Sequence, residues 1–240
     1  MRYIAGSMRL TITIGIILWF GLAAYGQETL PKLNFLEAKL EKASDLSEDN
    51  PEKAIPILLE LKKVSTEQRD TVTLAEVLRL LGNCHYYLDD NNVAMRHWRS
   101  AISLAQQADM PELQAGLFNN IANGYSDFDP DSGIYFYKLA IQIYTELDLA
   151  EETADMLGNL SFTFFDDLQN YDSAYVYAYK ALNLSKRTGD SLLLASMHAQ
   201  LGRVFIEIKP LDSAIYHAKL GLNISREIGS KRVEELALDA

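Results

Sequence analysis

From about Leu30 to the C-terminus, apolar residues recur at intervals of three and four, and almost no stretch alternates with the two-residue period of a strand. That spacing predicts a succession of amphipathic helices, each burying one stripe, and an all-α chain. The first residues differ. Arg2 and Arg9 precede a 14-residue apolar run, 11 to 24, that ends among the small residues Ala24 and Gly26. This is the layout of a secretory signal peptide. The run is shorter than the roughly 20 residues of a membrane-crossing helix. Cleavage after Gly26 is therefore expected, with an uncleaved anchor as the other outcome.

Within the helical region a single pattern repeats. The pairs Leu81-Gly82, Ile121-Ala122, Leu160-Ser161 and Leu201-Gly202 follow one another at spacings of 40, 39 and 41. Three residues after each small residue stands a ring: His85, Tyr125, Phe164 and Phe205. A turn follows, then a second small residue at Ala94, Gly133, Ala174 and Ala214, which is 12, 11, 13 and 12 residues beyond the first. A third small residue comes seven residues later at Ala101, Ala140, Ala181 and Gly221. Two antiparallel helices approach closely only where the side chains at their crossing are small, and larger groups fill the space on either side. Trp98 and Tyr137 lie four residues after the second small residue and are expected to plug the space between neighbouring repeats. The equivalent positions hold Ala178 and Ala218, so later plugs must come from elsewhere, with Tyr175, Tyr177 and Tyr216 as candidates.

The turns carry matching signals. Asp131, Asp172 and Asp212 each precede a serine and are expected to accept the unpaired N–H groups at a helix start, as is Asp190 before Ser191. Pro130 and Pro210 stand where proline ends one helix without harming the next.

An apolar residue with Gly or Ala, then an aromatic, then Ala, a large ring and Ala again is the signature that these residues resemble: that of the tetratricopeptide repeat (TPR) family. Four units match, at 72–109, 111–148, 150–188 and 190–228, each closer to 40 residues than to the family's basic 34, as in its subclass with longer helices. A degenerate fifth unit is expected at 31–68, where Ala54 lies 40 residues before Ala94, and residues 230–240 read as the start of a further helix. The family's proline near the end of the second helix is missing, and the large-ring position is lost twice. The resemblance implies an all-α, right-handed superhelical solenoid of antiparallel helix pairs over residues 27–240, behind a signal peptide at 1–26. Repeat arrays need polar terminal caps, so the unpartnered last helix is expected to mark the N-terminal piece of a longer chain.

Composition narrows the function. The chain has 240 residues and a formal charge of -11, and no basic block reverses that locally. Such a surface repels phosphate backbones, which argues against nucleic acid as a partner of this region. Without residues 1–26 the charge is -13, from 20 basic and 33 acidic residues. The single cysteine, Cys84, allows neither an internal disulfide nor lipid attachment at the cleavage site. Membrane association is expected only through an uncleaved signal segment or a missing C-terminal part.

Candidate chemistry is sparse. The four histidines, at 85, 97, 198 and 217, have no metal-ligand spacing, and Cys84 and His85, as helix neighbours, point about 100° apart. Asp127, Asp129 and Asp131 alternate as at the start of a calcium loop, but Lys138 stands where that loop needs Glu. No phosphate-cradling loop, nucleophile elbow or catalytic carboxylate pair is present, and neither cofactor, metal nor catalytic residue is expected. What remains is the surface lined by first helices. Positions spaced i, i+4, i+7 opposite the packing seam give Arg79, Asn83, Tyr86; Asn119, Asn123, Ser126; Gly158, Phe162, Phe165; and Ala199, Arg203, Ile206. Family resemblance implies that Asn83 and Asn123 grip the backbone of an extended peptide; service to the helix seam is the alternative. Phe162, Phe165 and Ile206 would form an apolar patch.

The expected function is thus a secreted or periplasmic scaffold that binds a protein or peptide through its concave face. By resemblance, it is also the sensory N-terminal region of a bacterial signalling protein. A helical-toroid enzyme such as a glycan hydrolase is the alternative; it would draw on the inner-curve acids Glu76, Asp127, Asp155, Asp166 and Glu207.

Overall fold

The computed structural model describes residues 30–126, 128–208 and 210–239, so the signal-segment expectation and Asp127 lie outside the described residues. These residues form helices and the turns between them, with no strand among them. They fall into two compact units, 30–109 and 110–239.

The first unit contains α1 (Leu30–Asp49), α2 (Pro51–Gln68), α3 (Thr71–Tyr87) and α4 (Asn91–Gln107). Each packs on the next, and α1 also touches α3. Pro51 opens α2 at its first turn, where its missing N–H costs nothing. The second unit contains α5 (Pro111–Tyr125), α6 (Pro130–Glu146), α7 (Ala150–Phe162), α8 (Tyr171–Thr188), α9 (Ser191–Ile208), α10 (Leu211–Glu227) and α11 (Lys231–Leu238). Again each packs on the next. In addition α7 touches α9 and α9 touches α11, so α9 is enclosed and buried on every side from Ala195 to Gly202.

Small residues make the crossings. A Cβ on Gly133 of α6 would stand 3.1 Å from the Ala122 carbonyl oxygen of α5, and one on Gly221 of α10 would stand 2.9 Å from the Ala199 nitrogen of α9. In the α7–α8 hairpin, Ser161 Oγ donates to the Ala174 carbonyl at 2.9 Å. Gly82 faces the Trp98 indole, which fills the space that a Cβ there would need. These four residues, with Ala94, Ala101, Ala122, Ala140, Ala174, Ala181, Gly202 and Ala214, are buried.

Next to every crossing the helices of a hairpin also exchange rings. The ring after the turn-proximal small residue meets one from the second helix in all four hairpins: His85 with His97, Tyr125 with Phe136, Phe164 with Tyr177 and Phe205 with His217, at centroid distances of 5.5, 5.7, 5.3 and 5.3 Å. The first member of each pair is legible as a repeating ring. The second varies between imidazole, phenyl and phenol, which hides its recurrence.

The turns correct one expectation. Asp131, Asp172 and Asp212 sit inside the first turn of their helices, where they face the positive dipole end but cap nothing. Capping falls to earlier residues, because the cap must precede the first helical N–H. Asp129 accepts from Ser132 N at 3.2 Å and Asn170 from Ser173 N at 3.0 Å, while Pro210 occupies the third such position without a side-chain bond. Asp190 does cap, accepting from Leu193 N at 2.9 Å.

Each second helix ends in a left-handed residue at the same repeat position: Arg69, Asp109, Asp148, Gly189 and Gly229, with φ of 57°, 53°, 57°, 82° and 71°. Only the last two are glycine, the residue that adopts this conformation without steric cost. The 13-residue spacing of the third unit also has a structural counterpart. Its first helix ends in a π turn, Thr163–Asp167, in which Leu168 N donates to the Thr163 carbonyl at 3.3 Å. The π turn accommodates one extra residue and contains Phe165 and Asp166.

Candidate functional site

In the first unit, the three candidate residues converge on one ring. Trp98 is 1% exposed and its Nε1–H is shared between Asn83 Oδ1 at 3.0 Å and the Arg79 carbonyl at 3.3 Å. The Tyr86 ring lies 5.7 Å from the indole, and the Arg79 side chain pairs with Glu76 at 2.8 Å. Asn83 therefore holds the tryptophan that fills its own hairpin.

In the second unit, Asn123 repeats this role. It is 1% exposed, and its Oδ1 accepts from the Tyr137 hydroxyl. Trp98 and Tyr137 occupy the same repeat position, as do Asn83 and Asn123, so an asparagine on the first helix clasps a large polar-tipped ring on the second. Where the ring is lost the asparagine is lost with it. Phe162 pairs with Ala178, and Arg203 with Ala218, at the same two positions. Phe162 comes from the first helix and packs on the core of Ala154, Ala178, Leu182 and Met197, joined by Tyr175. The filling group has changed helices. Of the candidate plugs, Tyr175 touches this core, Tyr177 belongs to the cross-helix ring pair, and Tyr216 is 60% exposed.

Asn119 Oδ1 accepts from Asn159 Nδ2 at 3.1 Å, an amide contact between successive first helices. Asn159 also belongs to a glycan acceptor sequence, but its amide is committed to this bond. Phe165 and Arg203 are brought together from α9 and the π turn after α7. The Arg203 guanidinium lies 4.3 Å from the Phe165 ring centre, donates to Asp166 Oδ1 at 2.6 Å and to Gln200 Oε1 at 3.1 Å. Phe165, Asp166 and Arg203 all keep solvent exposure. Gly158 and Ala199 are buried at helix contacts, while Ile206 is exposed.

Titratable groups in both units add features that spacing alone did not mark. Asp155 of α7 is pushed up to about 7, first by burial and then by Asp190, Glu151 and Glu152. The histidines, unremarkable by spacing, come together in two pairs. His85 stacks on His97, and His198 Nδ1 lies 2.9 Å from His217 Nδ1. Burial lowers His97 and His198 to about 4, assisted by Lys62, His85 and Arg96 in the first case and by His217 and Lys186 in the second. Cys84 is buried, which drives its thiol up to about 11 and leaves it a poor nucleophile. Among the described residues no three His, Cys, Asp or Glu side chains form a group able to hold a metal, and no helix is long and apolar enough to cross a membrane.

Neither a family model nor a curated protein matches the sequence. Solved structures do match in fold. BtubC (BKLC) from P. vanneervenii superposes with a TM-score of 0.60 at 20% identity, over 85% of this chain and 88% of that one. A kinesin light chain-type protein of Podosopora anserina, built from nearly identical TPR-like repeats, superposes at 0.64 with 11% identity over 82% and 97% of the two chains. A point variant of that protein gives 0.65 at 10% identity over 81% and 96%. With its consecutive antiparallel helix pairs, buried small-residue crossings and these structural neighbours, the chain is by fold a tetratricopeptide-like repeat protein.

Proposed function

We propose that the chain is an extracytoplasmic scaffold that binds a peptide or protein segment through the first-helix surface of residues 110–239, centred on Phe165, Asp166 and Arg203. The observation that carries this reading is the difference between two kinds of candidate residue. Asn83 and Asn123 are consumed by the rings they hold, whereas Phe165, Asp166 and Arg203 form a half-exposed aromatic and charged cluster, built from two successive repeats, that no helix crossing requires. An aromatic face beside a guanidinium is the composition of protein-binding hot spots. Asn119 and Phe162 flank the cluster as secondary contacts, and Arg79 and Tyr86 are the corresponding candidates in the first unit.

In the same reading, residues 1–26 are a signal segment, the repeats divide at 72–109, 111–148, 150–188 and 190–228 behind a degenerate unit at 31–68, and the array serves as the input region of a signalling protein. Supporting the location are the Arg2 and Arg9 flank and the short apolar run after them.

The binding test uses Arg203→Glu and Phe165→Ala. Both should keep the far-UV spectrum and melting temperature of the parent and lose retention of a partner that co-purifies with it, whereas Asn83→Ala should lower stability. Retention of that partner by both variants would overturn the placement of the site. Sequencing the N-terminus of protein recovered from the periplasm or medium should begin at Gln27; recovery only from the cytoplasm with Met1 intact would overturn the location.

A further inference from the structure

Beside its Phe205–His217 ring pair, the hairpin of α9 and α10 contains a polar contact that the proposed binding surface does not use. His198, 5% exposed on α9, faces His217 of α10, with 2.9 Å between their Nδ1 atoms, 5.0 Å between ring centres and 33° between ring planes. The ring centres stand about two ring radii further apart than the nitrogens, so the two Nδ1 atoms point nearly at each other. That is the geometry of an N–H···N hydrogen bond. It requires complementary tautomers, one ring carrying its proton on Nδ1 and the other on Nε2. One added proton leaves a donor and an acceptor in place; a second makes both Nδ1 atoms donors, and the contact becomes a repulsion between cations.

Among the described residues, the charge acting on both rings is that of Lys186 of α8, a cation, and His217 acts on His198 in the same direction. Phe205 of α9 lies 5.3 Å from the His217 ring and Tyr216 of α10 meets it edge-on, also at 5.3 Å. The Arg226–Glu234 ion pair joins α10 to α11, Arg203 of α9 is paired with Asp166, and Asp190 is committed to capping α9. Asp155 of α7 titrates near neutrality but is absent from the groups acting on either ring.

We propose that the facing imidazoles of His198 and His217 make the α9–α10 hairpin an acid-released clasp, closed while the rings are neutral and opened when both take up protons. Opening would free α10 and α11 from the enclosed helix α9. Burial depresses both histidines, so the unfolded or opened form binds protons that the closed form refuses. The stability they contribute is complete above the ordinary histidine value near 6.5 and declines as the pH falls toward 4. With His198 at about 4, the closed form should lose about tenfold in population relative to the open one by pH 5.5.

Hydrogen exchange of the full chain at pH 7 and pH 5.5, corrected for intrinsic rates, tests this. Peptides covering 191–238 should lose about tenfold or more in protection, and peptides covering α5 and α6 much less. The double variant His198→Phe/His217→Leu should abolish the pH response of 191–238. An unchanged response in that variant, or no local response in the parent, would overturn the clasp. Should the variant not fold, proton NMR titration of the two imidazole C2 protons in the parent decides: apparent values well below 6.5 support the clasp, and values at or above 6.5 refute it.

Discussion

Alanine in place of Gly221 should destabilise the second unit, although the same change raises the intrinsic stability of a helix. Gly221 lies in the interior of α10, where alanine is favoured over glycine by about 1 kcal/mol. Against that stands the added Cβ, 2.9 Å from the Ala199 nitrogen, 3.1 Å from the Ala195 carbonyl oxygen and 3.3 Å from Ala199 Cα. All three are backbone atoms of α9, a helix enclosed on every side, so no side-chain rotation relieves the overlap. Helices must separate, which for over-packed cores costs about 1–3 kcal/mol. The sum is a net loss of up to about 2 kcal/mol. Gly116 of α5 is the internal control. Its Cβ would meet only the Tyr144 hydroxyl, at an ordinary 3.5 Å. Gly116→Ala should therefore show the helix gain alone, about 0.5–1 kcal/mol. Urea unfolding followed by circular dichroism reads both as shifts of the midpoint in opposite directions at constant slope. If Gly221→Ala gains as much as Gly116→Ala, small residues are not what sets the helix approach.

Trp98→Ala should cost about 3–5 kcal/mol, because it empties a buried site, and Trp98→Phe should cost less while removing the indole donor to Asn83 Oδ1; a loss below about 1 kcal/mol for the alanine variant in urea melts would contradict the burial. Gly189→Ala should destabilise by about 1 kcal/mol from its left-handed backbone, and Arg69→Gly should gain a similar amount, both measurable by thermal melts. For Asp155 the sign runs opposite to the histidines. Its folded value is raised from 3.8 to about 7, so it weakens folding progressively as pH rises through that window. Asp155→Asn should accordingly stabilise the protein at pH 8 and change little at pH 4; equal effects at both would refute the assignment.

The helical class, the repeat period and the buried small residues were legible because each depends on spacing, and spacing survives substitution. Gly82, Ala122, Ser161 and Gly202 mark one position in four hairpins, and all four are buried. What the sequence hid depends on partners chosen across a turn. Asn83 and Asn123 look like ligand contacts until Trp98 and Tyr137 are seen to occupy them. The His198–His217 contact joins residues 19 apart whose pairing follows from the α9–α10 turn rather than from any helical interval. The left-handed turn positions were obscured because Arg69, Asp109 and Asp148 stand where glycine would have announced them. Phe165 and Arg203 could be placed on one surface from the pattern, but their approach within 4.3 Å depends on the π turn that absorbs one inserted residue.

The exchange of filling groups between helices restricts how such an array can change over generations. A hairpin with Asn and a large ring is filled from its second helix; one with Phe162 and Ala178 is filled from its first. Recombination that traded a single helix between the two kinds would leave either two bulky groups competing for one gap or none to occupy it. Whole hairpins can be duplicated or shuffled without that conflict, which makes the helix pair, rather than the helix, the heritable module of this protein.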